Sequence, residues 1–166
     1  MKHTAKDIAV IGAAAAILLV CQVAMNFLPN IEVVSILVVL FAQHLRGKAI
    51  WILYVFVLIE GFIYGFAMWW FVYLYIWLVP CVAGWLMRDV HEPLVWALVT
   101  GVFGLFFGAL SSIPTFLTMG FYGGVAYFVQ GILFDLVHCA GNFAIALILY
   151  KPLDRILGRI VQQLYA

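Results

Sequence analysis

Residues 89–150 read DVHEPLVWALVTGVFGLFFGALSSIPTFLTMGFYGGVAYFVQGILFDLVHCAGNFAIALILY, without a single Lys or Arg. The stretch has room for two apolar helices and a sizeable loop, or for three helices, and the choice sets the topology of the whole chain. A membrane helix takes about 20 mostly apolar residues. The basic residues outside the stretch decide between the two. They sit at Lys2, Lys6, Arg46, Lys48 and Arg88 before it, and at Lys151, Arg155 and Arg159 after it. Three spans would put the last three on the opposite side from the rest, whereas two spans put all eight on one side. Lys and Arg collect on the cytoplasmic side of a membrane, so two spans are expected.

The rest of the chain follows the same rule. Residues 7–45 hold two spans, broken at Leu28-Pro29-Asn30, and residues 49–87 hold two more, broken near Gly61 to Trp70. The expected spans are 8–28, 31–45, 49–66, 69–87, 94–116 and 122–150. The fold class is therefore an all-α integral membrane protein, a six-transmembrane-helix bundle forming one domain over 1–166. Both termini are expected in the cytoplasm. In residues 151–166, Leu153, Ile156, Leu157, Ile160 and Leu164 share one face, while Asp154, Arg155, Arg159 and Gln162 share the other. That is the pattern of an amphipathic helix lying on the inner surface.

Composition agrees. The chain is 68% hydrophobic and 9% charged, where soluble domains run near half apolar and about a quarter charged. Its natural solvent is a bilayer. A net charge of +1 gives no footprint for nucleic acid. The first apolar run ends in Gln22, Asn26 and Pro29 without a small-residue cleavage site, and reads as a retained helix. Cys21, Cys81 and Cys139 all lie within apolar runs and are expected as buried thiols, not as a disulfide framework or a zinc site.

Polar residues inside apolar spans are informative because lipid cannot hydrogen-bond them. With the inner-face acids Asp7, Asp89, Glu92 and Asp154 set aside, Glu32, Glu60 and Asp135 remain. The first two fall at the outer ends of spans two and three, the last near the middle of span six. Tyr127, Gly131, Asp135, His138 and Asn142 are spaced by four, four, three and four, which puts them on one helical face. Gln22, Asn26 and Asn30 join them at the outer ends, with Tyr64, Trp69, Trp70, Tyr73 and Tyr75, and with Ser111, Ser112, Thr115 and Tyr122. Singly, the aromatics also fit an interfacial belt, the two glutamates a solvated rim, and Asp135 and His138 a mutually satisfied structural pair. Collectively, aromatics with a few polar groups are how small-molecule sites are built.

Small residues recur at helical spacing in three spans: Ala97, Gly101, Gly104 and Gly108; Gly61 and Gly65; and Ala9, Gly12, Ala13 and Ala16. Such stripes let helix backbones approach closely. The first two suit packing within the bundle. The third, near the cytoplasmic end of span one, suits either internal packing or a partner helix.

Several segments resemble the S components of energy-coupling-factor (ECF) transporters. They are Phe27-Leu-Pro-Asn-Ile-Glu-Val-Val-Ser35, Glu60-Gly-Phe-Ile-Tyr-Gly65 with Trp69-Trp70 and Tyr73, Phe107-Gly-Ala109, Phe134-Asp-Leu-Val-His138 and Gly141-Asn142. The resemblance covers nearly the whole chain. It implies a multi-pass subunit of a bacterial cell membrane that captures a vitamin or related micronutrient outside. The loops after spans one, three and five help to close the site. Such a subunit delivers its ligand inward by docking on a transmembrane coupling subunit driven by two ATPase subunits. It hydrolyses nothing, has no intrinsic cofactor, and leaves ATP to its partners; the chain indeed has no phosphate-binding glycine loop. An alanine motif on the first helix, matched here by Ala9 and Ala13, contacts the coupling subunit. By position, the substrate-binding candidates are Asn30, Glu32, Glu60, Tyr64, Trp69, Trp70, Tyr73, Asp135, His138 and Asn142. The resemblance does not name the ligand; cobalamin, a pyridoxine-like compound and another nitrogen heterocycle are all compatible. Three rival readings are a self-sufficient small-molecule carrier, an intramembrane enzyme using Asp135 and His138 as acid and base, and a purely structural subunit.

Overall fold

The computed structural model describes residues 4–166, and these form helices without strands. They are α1 Ala5–Ala24, α2 Val34–Leu45, α3 Lys48–Tyr64, α4 Met68–Ile76, α5 Leu78–Leu86, α6 Pro93–Leu105, α7 Phe107–Ser111 and α8 Ile113–Tyr165. Three apolar helical stretches, Ala5–Ala24, Met68–Leu86 and Ile113–Tyr165, are long enough to cross a membrane. Large apolar side chains such as Ile17, Trp51, Phe71, Leu98 and Leu133 point outward. Such a surface suits a lipid environment.

Position in the bundle follows from composition. In α2 all residues except His44 are buried, as expected of a helix that is apolar on every side. Its 12 residues span only about 18 Å, short of the roughly 30 Å apolar thickness of a bilayer. Its start is capped from within the protein. The Glu32 carboxylate accepts from the backbone N–H of Ser35 at 2.7 Å and from the Ser35 hydroxyl, satisfying donors that the first turn leaves open.

Two of the breaks in the later helices lie close to prolines. Pro80 and Pro114 cannot donate to the carbonyl four residues back and crowd it. The helix is interrupted at Trp77, splitting the expected 69–87 span into α4 and α5. It is interrupted again at Phe106 and Ser112, splitting the expected 94–116 span. The Leu110 carbonyl, which Pro114 cannot serve, accepts instead from the Tyr75 hydroxyl at 2.7 Å.

Chain reversal between the fifth and sixth expected spans takes place at Gly120, with φ 71° and ψ −174°. From there the two arms pack antiparallel. A Cβ on Gly104 would sit 2.8 Å from the His138 carbonyl, and one on Gly101 3.3 Å from Phe143. Gly108 abuts Asp135 in the same way. The Ala97–Gly108 stripe is thus the seam between α6 and α8. Gly61 plays a smaller part of the same kind, since a Cβ there would meet the Trp70 indole at 2.7 Å. Gly65 turns the chain with φ 87°. The α1 stripe differs: Ala9, Gly12, Ala13 and Ala16 are exposed, while Ile11, Ala14, Ala15 and Leu18 face the core.

The expected separate tail at 151–166 is one helix with the preceding span, because Lys151 and Pro152 continue α8 without non-helical backbone. Its far part still packs across one end of the bundle. Asp154 meets His44 at 2.7 Å, and the Tyr165 hydroxyl donates to Asp7 at 2.8 Å. Lys48 pairs with Asp7 at 3.2 Å and, like Lys6, lies over the Tyr165 ring. Nearby, Gln43, Trp96 and Tyr150 all donate to the Val90 carbonyl. This basic end gathers Lys6, Arg46, Lys48 and Arg88 with the tail; Lys2 lies outside the described residues. The three cysteines are unbridged, Cys81 buried and the other two partly so.

Candidate functional site

At the end away from the basic residues, α8 meets the entry to α2. His138 Nε2 is 3.3 Å from Glu32 Oε1. One turn on, the Asn142 amide donates to the Ser35 hydroxyl at 3.2 Å and to the Thr100 carbonyl at 3.4 Å. Thr100 Oγ1 lies 3.3 Å from the Asn142 carbonyl and donates principally to Trp96 O at 2.8 Å. Asn30, in left-handed backbone with φ 59°, donates to the Phe134 carbonyl at 3.2 Å. Its own carbonyl would lie 3.2 Å from a Cβ on Gly141, so Gly141 is what admits the α1–α2 loop against α8. Four expected site residues, Asn30, Glu32, His138 and Asn142, are therefore brought into one hydrogen-bonded junction.

Asp135 and His138 do not bond to each other. Asp135 Oδ1 accepts from the Gly108 backbone N–H at 2.9 Å, and the histidine turns to Glu32. The mutually satisfied pair that sequence spacing allowed is not what forms, because the α7 backbone and the α2 entry reach these side chains first.

The α3–α4 hairpin supplies the second half. Glu60 is 3% exposed and its Oε1 has no hydrogen-bond partner. Trp70 Nε1 donates to the Val57 carbonyl at 2.9 Å, which occupies the indole N–H. Trp69 packs edge-on against Tyr73 at 5.2 Å. The Tyr73 hydroxyl accepts from Gln22 at 3.2 Å and lies within electrostatic range of both Glu32 and Glu60. Tyr64 stands apart at the rim, half exposed, accepting from Asn26 at 3.3 Å.

An aromatic chain joins the halves. Tyr73 to Trp77 is 5.5 Å between ring centroids, Trp77 to Phe107 6.2 Å, and Phe107 to His138 4.8 Å. Trp77 and Phe107 were not among the candidates, nor were Ser35 and Thr100, which tie α2 and α6 to Asn142. For the last two a signal existed, since a hydroxyl within an apolar helix needs a partner. For Trp77 there was none.

Several buried side-chain atoms along this line have no partner: Gln22 Oε1, Glu60 Oε1, Trp77 Nε1, Asp135 Oδ2 and His138 Nδ1. Native interiors leave few such atoms unsatisfied, and each costs about 1–3 kcal/mol. Their concentration on one polar–aromatic line is the feature a ligand with hydrogen-bonding groups would complete. Among the described residues no group of His, Cys, Asp and Glu is arranged to hold a metal ion. No protein-family model matches this chain, and no curated protein or solved structure is detectably similar to it.

Proposed function

We propose that this protein is the substrate-binding subunit, or S component, of an ECF-type importer in a bacterial cell membrane. In this reading it takes a vitamin or related micronutrient from the outer side and hands it inward with ATP-driven partners. The observation that carries the reading is the line of unpartnered buried polar atoms between Glu60 and His138, interleaved with aromatic rings. Aromatic surroundings with a few polar groups are the chemistry that binds small ring-bearing molecules. The sequence resemblance supplies the family and the transport role. The exposed Ala9, Gly12, Ala13 and Ala16 face suits the docking surface for a coupling subunit, because small side chains let a partner helix approach closely. The six-span topology with cytoplasmic termini is part of the proposal; the shared basic end of the bundle supports it.

The test is native mass spectrometry of the protein purified from rich medium, followed by calorimetry with the released compound on Glu60→Ala and Trp70→Ala. A stoichiometric small molecule whose affinity falls at least tenfold in both variants is expected. A protein that carries no ligand and ignores a vitamin panel, or that moves solute alone in liposomes, overturns the reading.

A further inference from the structure

Between α7 and the first part of α8 lies a cavity of about 290 Å³, lined by Phe107, Ser111, Tyr127, Gly131, Phe134 and Asp135, with Gln130 at its edge. Two of the residues that line it, Asp135 and Ser111, each carry a buried oxygen without a partner, Oδ2 and Oγ. The other carboxylate oxygen of Asp135 is already held by the Gly108 N–H, so the carboxylate is fixed with its free oxygen unspent. Asp135 is 5% and Ser111 9% exposed, so water does not serve these atoms freely.

The surroundings define what fits. No Lys or Arg occurs in residues 49–87 or 89–150, so neither residue type supplies a cation from these segments to a ligand's negative charge, and the nearby His138 is turned to Glu32. A carboxylate oxygen accepts hydrogen bonds, and the faces of Phe107, Tyr127 and Phe134 attract positive charge. The volume sits at the lower edge of ligand-pocket sizes, roughly 300–1,000 Å³, and holds one ring-bearing group rather than a macrocycle.

We propose that this cavity is the subsite for a protonated amine or an amino-substituted nitrogen heterocycle, which donates to the Asp135 carboxylate and the Ser111 hydroxyl. The inference rests on the binding-subunit reading and narrows its ligand to a cationic or N–H-rich single-ring compound.

Gly131 offers a clean test. A Cβ there meets nothing within 4 Å, so Gly131→Leu starts without a clash at Cβ and adds apolar bulk at the cavity wall. Calorimetry on the full chain in nanodiscs would compare pyridoxamine, benzamidine and 4-amino-5-aminomethylpyrimidine with 4-pyridoxic acid, benzoate and nicotinate. The amines are expected to bind at least tenfold tighter than the acids, and Gly131→Leu and Asp135→Asn each to weaken the best amine at least tenfold. Thermal unfolding shows that the variants are folded; should Asp135→Asn unfold, Gly131→Leu decides alone. Acids binding as well as amines, amines failing to bind, or amines bound unchanged by Gly131→Leu each overturn the subsite. Should another vitamin still bind and depend on Glu60 and Trp70, the importer reading survives that result; should nothing bind, both fall.

Discussion

Glu32 and His138, 106 residues apart in sequence, face each other at 3.3 Å at the junction of α2 and α8. The same glutamate caps α2 through Ser35. One side chain thus starts the central helix and fixes the ring orientation of a histidine on another. Glu32→Ala strips both partners at once. A loss of about 2–4 kcal/mol is expected, as hydrogen bonds to charged groups are worth about 1.5–3 kcal/mol. His138→Ala should cost less, and the double variant less than the sum. Denaturant unfolding in mild detergent measures the cycle; strict additivity would show that the pair is not coupled.

The α6–α8 seam and the exposed α1 stripe make opposite predictions for the same substitution. Gly104→Ala forces a Cβ against the His138 backbone at 2.8 Å and should destabilise by about 1–3 kcal/mol. Gly12→Ala meets nothing within 4 Å and should be neutral or stabilising by up to about 1 kcal/mol through helix propensity. Thermal unfolding of the two variants side by side checks the contrast.

Ala13→Trp enlarges an exposed face without touching the core. Ligand affinity should stay within about twofold, and stability within about 0.5 kcal/mol. Uptake by a reconstituted complex with coupling and ATPase subunits should be lost. Equal loss of binding and uptake would assign this face to internal packing.

The tail is held to the basic end through Asp7. The Thr4 backbone N–H, then the Tyr165 hydroxyl and Lys48, hold its carboxyl well below the usual carboxylate range. A carboxylate depressed on folding stabilises the fold above its unfolded value of about 4, and that contribution fades as pH falls toward the folded value. Hydrogen exchange of the last α8 turns should therefore rise below pH about 4, after correction for intrinsic rates. Tyr165→Phe removes one grip, so its tail should exchange faster at neutral pH and respond less to acid.

Asp154 bridges two histidines, His44 at 2.7 Å and His91 at 3.4 Å. Asp154→Asn should loosen α8 beyond Pro152 and speed tryptic cleavage at Arg155 and Arg159 severalfold at neutral pH. Unchanged cleavage would place the hold on the tail in Leu153 and Leu157, which pack against the core.

Much of this was legible in the residues. The apolar runs, the stretch from 89 to 150 without Lys or Arg and the period of Asp135, His138 and Asn142 anticipated helices, a basic end and an inward polar stripe, although Tyr127, on the same period, is half exposed. Helix ends were less legible. Residues 117–121 read as a loop, but the reversal needs only Gly120, since its positive φ turns the chain in one residue. The amphipathic tail was legible as a pattern, while its continuity with the preceding span through Pro152 was not. An amphipathic period reports which face is apolar, not where one helix stops.

By itself the sequence determined that this chain is helical, that its helices are apolar enough to cross a membrane, and that its polar groups lie on particular helix faces, because these depend on composition and on a local 3.6-residue period. Only the tertiary structure decided that His138 turns to Glu32 rather than to Asp135, that Asn142 reaches Ser35 and Thr100, and that Trp77 and Phe107 bridge the two halves of the site. The physical reason is that such pairings depend on the rotation and depth of each helix against its neighbours. Those are set by where glycines let backbones close together and by which distant carbonyl or carboxylate satisfies a buried donor first. Neither quantity has a local signature in the chain.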